Sequence, residues 1–501
     1  MFTNQVPEKR RVWPYILISV VAILGIAIWS SYKMISSLLP EKILQSKFVQ
    51  DQVRKELGDD KAEVFNMLPE ILGFNAPKTY LLLFLNNTEL RPGGGFIGVY
   101  AVVHVDKGQT KILTMEGTEA IDRNAPKDVK PVAPKPISDN LKVDRWYFRD
   151  SNWSPDFAQS SRDALTLFKA ENGTSSNHID AVIGVTATVL EELMKQTGPF
   201  TIDGIQFTAD NVIEKLEYEV EYGYSDRGLV FQQRKNIIQP FLNALMEHVK
   251  NTGFSQMDAY IALAGKLVKE KQVMAYSVDG SQEKLIEKYN ADGEVNMTTS
   301  SDYLMWVDAN LAALKTDYAM KRNLTYSLVS DKDGKMTATA RMEYTNTGKF
   351  DWRTTRYRTY TRVYVPEGSE LVSTDGAMKT DRSSAPGVVD KGVEFEKQWF
   401  GTFIAVEPGQ TKSLSFTYTL PQSISDQIKN GLYTLFVQKE LGTLNNGLTL
   451  SLDFGKTIVS ANPGESPDKW NDSKYEVHTD LSVDRDFNVT LSPDHLTTQP
   501  Q

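Results

Sequence analysis

A charge-free apolar stretch near the N-terminus constrains this chain more than any other feature. No charged residue occurs from Val12 to Tyr32, and about 20 apolar residues in a helix span the hydrocarbon core of a membrane. Three basic residues, 9–11, precede the stretch, whereas only Lys33 directly follows it. This charge bias predicts a single-pass cell-membrane protein with a cytoplasmic N-terminus and an extracytoplasmic bulk. A cleaved signal peptide is the alternative, although Lys33–Pro40 is a poor cleavage site.

The composition excludes several classes of function. The net charge is −9 and the pI is about 5.3, which argues against nucleic acid as a partner because such proteins usually present a basic surface. The chain has no cysteine and five scattered histidines. Thiolate zinc sites and cysteine nucleophiles are therefore excluded, and a histidine metal site is not expected.

Hydrophobic patterning predicts two folded regions beyond the membrane. Tyr80–Leu85 is continuously apolar, as in a strand buried on both faces, and amphipathic helices alternate with further strands up to about residue 320. After Lys321 short alternating strands are separated by turns, which predicts an all-β sandwich following a layered α/β domain. The predicted segments are a cytoplasmic tail (1–11), an anchor (12–32), a juxtamembrane helical segment (33–74), the α/β domain (75–320), the β-sandwich (321–494) and a tail (495–501).

The first candidate site is the polar turn that follows the first buried strand. Open α/β sheets place ligand crevices at such strand ends. Gly94 and Gly95 let backbone N–H groups approach an anion, and Arg91 offers a planar fork of donors suited to phosphate. Asn86 and Asn87 complete the predicted ligand-binding set of this turn. The alternative interpretation is a tight turn that needs glycine for its positive φ angles.

A second candidate site precedes a predicted helix. Residues 149–156 hold Arg149, Asp150 and Asp156 within one short segment. Two carboxylates and an arginine in this spacing could bind a ligand, whereas the alternative is that Asp156 or Ser154 caps the helix.

The third candidate site lies at the start of a helix predicted over Gly228–Val249. Arg227, Gln233 and Arg234 flank this helix N-terminus, where backbone N–H groups and the helix dipole favour an anion. Solvent-exposed charge is the alternative interpretation.

Three segments carry a family resemblance. The segments are Tyr80–Gly98, Asp150–Phe157 and Val307–Arg322. They resemble motifs of the bacterial domain-of-unknown-function family 4012, whose members are membrane-anchored envelope proteins. The resemblance extends over residues 75–330 and implies an extracytoplasmic cell-envelope protein.

A more distant resemblance concerns the LytR-CpsA-Psr phosphotransferases. Ile179–Val185, Ser225–Gly228 and Gln232–Arg234 are similar to segments of those enzymes. They transfer glycopolymers from a polyprenyl-pyrophosphate carrier to the cell wall, using arginines and magnesium-binding aspartates.

The residue roles that this resemblance implies are as follows. Arg227, Arg234 and Asp150 would be catalytic, and Glu89 or Asp150 would bind Mg²⁺. The chain departs from the pattern at Gly94–Ile97, which lacks the expected aspartate, and at Glu116–Glu119, which lacks the expected arginine.

Two functions therefore follow from the sequence. The first is a glycopolymer phosphotransferase-like protein whose partners are a polyprenyl-pyrophosphate-linked glycan and a cell-wall polymer. The second is a non-catalytic envelope binding or scaffold protein with an adhesion-type β-sandwich. Convergence of the arginine-rich segments on one pocket would favour the first function.

Overall fold

The computed structural model describes residues 69–253, 256–298, 300–330, 334–465, 469 and 472–492. The predicted cytoplasmic tail, the anchor, most of the juxtamembrane segment and the C-terminal tail lie outside these residues. Among the helices that are described, none has the length and apolar character needed to cross a membrane.

The described strands and helices alternate in the first half of the chain, and strands dominate the second half. The strands are β1 Lys78–Asn86, β2 Phe96–Asp106, β3 Gln109–Gly117, β4 Ala181–Thr186, β5 Phe200–Ile202, β6 Ile205–Phe207, β7 Val273–Ser277, β8 Asp302–Asn310, β9 Met320–Ser330, β10 Met336–Asn346, β11 Tyr357–Pro366, β12 Glu370–Asp375, β13 Asp390–Glu394, β14 Lys397–Val406, β15 Thr411–Thr419, β16 Leu432–Gln438, β17 Gly447–Asp453, β18 Ile458–Asn462, β19 Lys474–Asp480 and β20 Arg485–Leu491.

The helices of the described residues are mostly short. They are α1 Thr118–Asn124, α2 Lys135–Leu141, α3 Phe157–Ala170, α4 Thr188–Thr197, α5 Val212–Tyr218, α6 Tyr224–Asp226, α7 Ile238–Gly253, α8 Met257–Lys269, α9 Gly280–Lys288 and α10 Gln422–Lys429. A π-helical turn, Glu219–Gly223, joins α5 to α6. Turns of 3₁₀-helix occur at Phe148–Asp150, Phe231–Gln233 and Thr316–Ala319.

The chain forms two compact units, and each unit is built from separate segments. The first unit comprises the described residues up to Leu85, together with Ile97–Val129 and Phe157–Gly293. The second unit comprises Asn86–Phe96, Lys130–Asp156 and the chain from Glu294 onward. This division differs from the contiguous boundaries 75–320 and 321–494 that the sequence predicts.

Strand pairing gives the physical reason for the difference. β8 lies within the predicted α/β domain, but it pairs antiparallel with β11 and parallel with β16. All nine residues of β8 are buried, so this strand requires neighbours on both edges and cover on both faces. Its neighbours belong to the second unit.

A five-stranded mixed sheet forms the centre of the first unit, in the order β3-β2-β1-β4-β7. β1 and β4 pair in parallel, from Tyr80 with Ala181 to Leu85 with Thr186. Leu82 and Ile183 from these strands pack with Phe241 and Leu245 of α7 in one hydrophobic core. The predicted mixed α/β character is confirmed.

Two sheets form the second unit. Their orders are β12-β15-β10-β9-β17-β19 and β13-β14-β11-β8-β16-β20-β18. Tyr326 and Phe416 of the first sheet share one core with Val363, Ile404 and Tyr433 of the other. In β9, β10 and β15, alternation of apolar and polar residues places one side of the strand in this core. The prediction of a largely β C-terminal half is confirmed.

Candidate functional site

The polar turn between β1 and β2 belongs to the second unit and is closely packed there. Gly95 has a φ of 141°, and a Cβ atom at this position would lie 2.6 Å from the carbonyl carbon of Asn86. Asn87 Nδ2 donates to the Gly442 carbonyl oxygen at 2.8 Å. Asn86 Oδ1 accepts from the backbone N–H and the hydroxyl of Thr88, at 3.1 and 2.7 Å. These contacts support the tight-turn interpretation of the glycines.

Gly94 and Gly95 also pack against other segments of the second unit. The Gly94 carbonyl oxygen lies so close to Gly442 that a side chain on Gly442 would collide with it. The Gly95 carbonyl oxygen accepts from Asn152 Nδ2 at 2.6 Å. The first candidate segment therefore contacts the second one directly.

Arg91 is the centre of this packing. Its side chain is 3% exposed, and its Nε and Nη2 atoms each lie 3.2 Å from Asp150 Oδ1. Nη1 donates to the Asn310 carbonyl oxygen at 2.6 Å. Arg149 Nε approaches the other oxygen of Asp150 at 3.4 Å from a less buried position. Asp150 is thus paired with two arginines of the second unit.

The third motif segment completes a buried network. Asp317 Oδ2 accepts from the Leu90 backbone N–H at 3.0 Å and from Asn310 Nδ2 at 2.7 Å. Arg322 Nε lies 3.1 Å from Asp308 Oδ2, and Arg322 Nη2 also donates to Asp317. All three motif segments therefore meet inside the second unit. The sequence offered a signal for Asp308, Asp317 and Arg322, because all three lie in the third motif segment, but they were not predicted as site residues.

Electrostatics in this network favour a structural role. Glu440 Oε1 accepts from the Asp308 backbone N–H at 2.8 Å. Burial, as the larger cause, and the negative charge of Asp308, as the second, raise the pKa of Glu440 well above its usual range. Burial also raises the pKa of Glu89, although Arg91 opposes that shift. The Arg91–Asp150 and Arg322–Asp308 pairs of this network are buried, and removal of one partner of such a pair is strongly destabilising.

The predicted magnesium ligands do not fit a divalent cation in this arrangement. Arg91 Nη2 lies 3.4 Å from Glu89 Oε1 and 3.2 Å from Asp150 Oδ1. The guanidinium therefore stands between the two carboxylates, where a shared cation would have to bind. Asp156, the remaining carboxylate of the second candidate segment, accepts from the Val295 backbone N–H at 3.0 Å.

The third candidate segment belongs to the first unit, where it forms a separate ionic cluster. Arg234 Nη2 lies 3.1 Å from Glu119 Oε1, and Arg234 Nη1 lies 3.4 Å from Glu221 Oε2. Lys235 Nζ donates to Glu119 Oε2 at 2.5 Å and to the Gly98 carbonyl oxygen at 2.7 Å. We call Glu119, Glu221, Arg234 and Lys235 the ionic cluster. Neither Glu119 nor Lys235 was predicted as a site residue.

The other two residues of the third candidate segment lie near this cluster in the chain. Arg227 Nη2 pairs with Glu219 Oε2 at 2.9 Å. Gln233 Oε1 accepts from the Val230 backbone N–H at 3.3 Å, which closes a turn before α7. Gln233 therefore has a local structural contact.

The pKa values of Lys235 and Glu119 in the ionic cluster are both lowered, for different reasons. Burial lowers the pKa of Lys235, although the Glu119 carboxylate opposes the shift. For Glu119, burial is outweighed by Lys235 and Arg234, which together hold its pKa below the usual range. The cluster can therefore contain an ionised carboxylate and cationic donors side by side, and an anionic ligand would compete with that carboxylate.

An apolar cavity of about 90 Å³ lies within the first unit. Side chains of β1, β2, β3, β4 and α7 line it, including Phe84, Ala101, Val103, Met115 and Met246. A cavity of this size is of the same order as the roughly 150 Å³ apolar cavity that admits benzene in an engineered protein.

The ionic cluster lies next to residues that line this cavity. Met115 lines the cavity, and two residues later a side chain on Gly117 would collide with both Lys235 Nζ and the Glu119 carboxylate. Gln239, four residues after Lys235, also lines the cavity. The first unit thus combines an apolar space with charged groups next to its lining residues. No motif in the sequence indicated the cavity, because its lining comes from β1, β2, β3, β4, α7 and the segment before β1.

Comparisons with solved structures find weak likenesses. A Legionella pneumophila protein described as a nutrient binding protein shares 8% identity over 38% of this chain and 71% of its own, with a TM-score of 0.23. An M1 zinc metallopeptidase from Deinococcus radiodurans shares 9% identity over 34% of this chain and 42% of its own, with a TM-score of 0.17. These likenesses support no inference about function.

The comparisons with sequence families are more informative. No curated protein matches the sequence. The first two motif segments, with Arg91 and Asp150, lie within the part of the chain that a family model matches. Residues 75–221 match the model described as "Protein of unknown function (DUF4012)", and this match supports the family that the motifs predict.

Proposed function

We propose that this is a membrane-anchored, extracytoplasmic cell-envelope protein whose first unit binds a lipid-linked pyrophosphate. The observation that carries the proposal is the apolar cavity with the ionic cluster next to its lining residues. A polyprenyl pyrophosphate has the matching chemistry, an apolar chain joined to a strongly anionic group.

The cavity would take the part of the chain next to the headgroup. Each buried CH₂ group contributes roughly 0.8 kcal/mol, so a short chain segment supplies useful affinity. The cavity volume of about 90 Å³ admits one end of the chain rather than an entire polyprenyl tail.

The ionic cluster would bind the headgroup. Arg234 presents a planar fork of donors suited to phosphate, and Lys235 adds a second cation. A pyrophosphate would compete with Glu119 and Glu221 for these donors because it carries more negative charge.

A direct test is calorimetric titration of the full chain in detergent with farnesyl pyrophosphate, with Mg²⁺ and with EDTA. Arg234→Gln and Val103→Phe should each weaken binding by about tenfold or more, which corresponds to roughly 1.4 kcal/mol. The first substitution removes the headgroup fork, and the second places a ring in the cavity. Arg149→Gln, in the second unit, is the matched charge control and should bind as the wild type does.

Farnesol and inorganic pyrophosphate separate the two parts of the ligand. Weaker binding of each than of farnesyl pyrophosphate would support recognition of both chain and headgroup. If farnesyl pyrophosphate does not bind either with Mg²⁺ or with EDTA, the proposed function is wrong. If binding occurs with Mg²⁺ and is lost with EDTA, the ligand would bind as its Mg²⁺ complex. The predicted protein ligands Glu89 and Asp150 are both paired with Arg91.

A non-catalytic scaffold is the second candidate function. The observation that favours it is the buried network of the second unit, in which Asp150 pairs with Arg91 and Arg149. Such pairing supports a structural role for this predicted catalytic residue. The second unit, with two sheets that share one core, would then act as an adhesion-type module. A chain that binds no pyrophosphate lipid but retains a glycan or protein partner would support this function.

A further inference from the structure

The first unit exposes an unusual concentration of large apolar side chains between α5 and α7. Tyr218, Tyr222, Val230 and Phe231 are 39%, 47%, 58% and 49% exposed. We call these four residues the aromatic patch. Contiguous exposed apolar surface of this kind marks an interaction site, whereas isolated exposed side chains are ordinary.

Three of the four residues of the aromatic patch take part in ring contacts. Tyr218 and Tyr222 stack with their ring centroids 6.1 Å apart, and Tyr224 meets Phe231 edge-on at 6.3 Å. Tyr222 lies in the π-helical turn Glu219–Gly223, a type of irregularity that is frequent at functional sites. The side chains are therefore presented together by a defined piece of backbone.

The aromatic patch is joined to the ionic cluster. The Arg234 guanidinium lies over the Phe231 ring, 4.4 Å from its centroid, and also pairs with Glu221 beside Tyr222. The same arginine pairs with Glu119, whose carboxylate a side chain on Gly117 would meet, two residues after Met115 of the cavity lining. The aromatic patch is therefore adjacent to the ionic cluster, and the ionic cluster is adjacent to residues that line the cavity, all within the first unit.

We infer that the aromatic patch contacts the lipid bilayer and is the surface through which the lipid reaches the cavity. This inference rests on the proposed lipid-binding function. Tyrosine rings favour the membrane–water interface, because an apolar ring and a polar hydroxyl suit its two sides. A carrier with a long apolar chain must leave the bilayer without crossing open water, so the binding site needs such a contact.

The chain before the first unit also favours the bilayer as the occupant. The predicted anchor ends at Tyr32, and the first unit is described from residue 69. Even fully extended, residues 33–68 span at most about 130 Å, so the predicted anchor keeps the first unit within that distance of the bilayer. A tether limits the distance of the first unit from the bilayer but does not fix its orientation. Contact of the aromatic patch with the bilayer would fix that orientation.

The test uses the absence of cysteine from the chain. Full-length single-cysteine variants Tyr222→Cys and Phe231→Cys are reconstituted in vesicles of phosphatidylcholine and phosphatidylglycerol and labelled with an environment-sensitive fluorophore. Val278→Cys is the matched control, because Val278 is 55% exposed in the same unit but lies outside the aromatic patch, between β7 and α9. Quenchers attached to the lipid acyl chains should quench the labels at Tyr222 and Phe231 and leave the label at Val278 unquenched.

The outcomes separate this inference from the proposed function. Equal quenching at all three positions, or none at Tyr222 and Phe231, would overturn the membrane contact and direct the search to a protein partner for the aromatic patch. Farnesyl pyrophosphate binding in detergent reports on the cavity independently. The inference also predicts that Tyr222→Ser retains that binding but extracts a fluorescent polyprenyl phosphate from vesicles several-fold more slowly; unchanged extraction would contradict it.

Discussion

At the scale of single residues, the arginines that the sequence predicted as anion-binding groups have two different environments. Arg91 is buried in ion pairs with Glu89 and Asp150, whereas Arg234 lies beside an apolar cavity and an exposed aromatic patch. An arginine buried without a partner would be strongly destabilising. Two partners of Arg91, Asp150 and Asn310, are 59 and 219 residues away in the chain, so the local sequence could not distinguish these two roles.

A second residue-scale feature concerns Asp302, which is fully buried in the second unit. Its Oδ2 atom accepts from the hydroxyls of Tyr326 and Tyr433, each at 2.6 Å. Burial raises the pKa of Asp302 to about 6, although the two tyrosine hydroxyls oppose the shift. The folded state therefore holds this proton more tightly than the unfolded state does.

The prediction for Asp302 is a loss of stability as the pH rises. Since the folded pKa lies above the unfolded one, the stabilisation is complete below about pH 4 and is lost as the pH reaches about 6. The unfolding free energy of the wild type, relative to Asp302→Asn, should fall by about 3 kcal/mol across this window. Urea unfolding at several pH values measures it, with the exposed Asp375→Asn as control. A difference that is independent of pH would contradict the prediction.

At the scale of elements, the buried strands were predictable and the details of turns were not. β1 and β4 carry continuous apolar runs because helices and neighbouring strands surround them. The helix predicted over Gly228–Val249 was placed too early, since α7 begins at Ile238 after a 3₁₀ turn. Pro240 lies in the first turn of α7, where its missing N–H costs no hydrogen bond.

The turn Asn86–Phe96 gives the prediction at this scale. Gly95→Ala should destabilise the second unit severely, because φ is 141° and the new Cβ would lie 2.6–2.7 Å from backbone atoms of Asn86 and Asn87. Gly409→Ala is the control, since Gly409 also has a positive φ but its Cβ would meet nothing within 4 Å. It should lose only about 1–2 kcal/mol for the left-handed conformation. Thermal unfolding compares the two variants, and similar losses would show that close packing at Gly95 is unimportant.

At the scale of the whole molecule, the two units are interleaved along the chain. Two segments of the second unit lie between segments of the first unit in the chain. They are Asn86–Phe96 and Lys130–Asp156. No single cut in the chain can therefore separate the units. This arrangement also places parts of the first two motif segments in the strand-rich second unit. Those parts are Asn86–Phe96 of the first motif segment and Asp150–Asp156 of the second.

The prediction at this scale concerns the fragment 75–320, which corresponds to the predicted α/β domain. The fragment should fail to fold cooperatively, because β8 would lose β11 and β16 and expose a strand that is buried throughout. Asp308 would also lose its hydrogen bonds from Tyr344 and Thr361. Near-ultraviolet circular dichroism and thermal unfolding compare the fragment with the full chain. A soluble fragment with a cooperative transition would contradict the interleaved division.

The sequence by itself determined the element types and the family resemblance, because periodicity and motif order are local properties of the chain. The predicted anchor likewise follows from local composition alone. Tertiary structure decided which charged residues are structural and which lie by a cavity. Arg91 and Asp150 are drawn together by burial in one unit, and Glu119, Arg234 and Lys235 meet in the other. Burial and pairing between residues far apart in the chain control these roles, and neither can be read from local spacing.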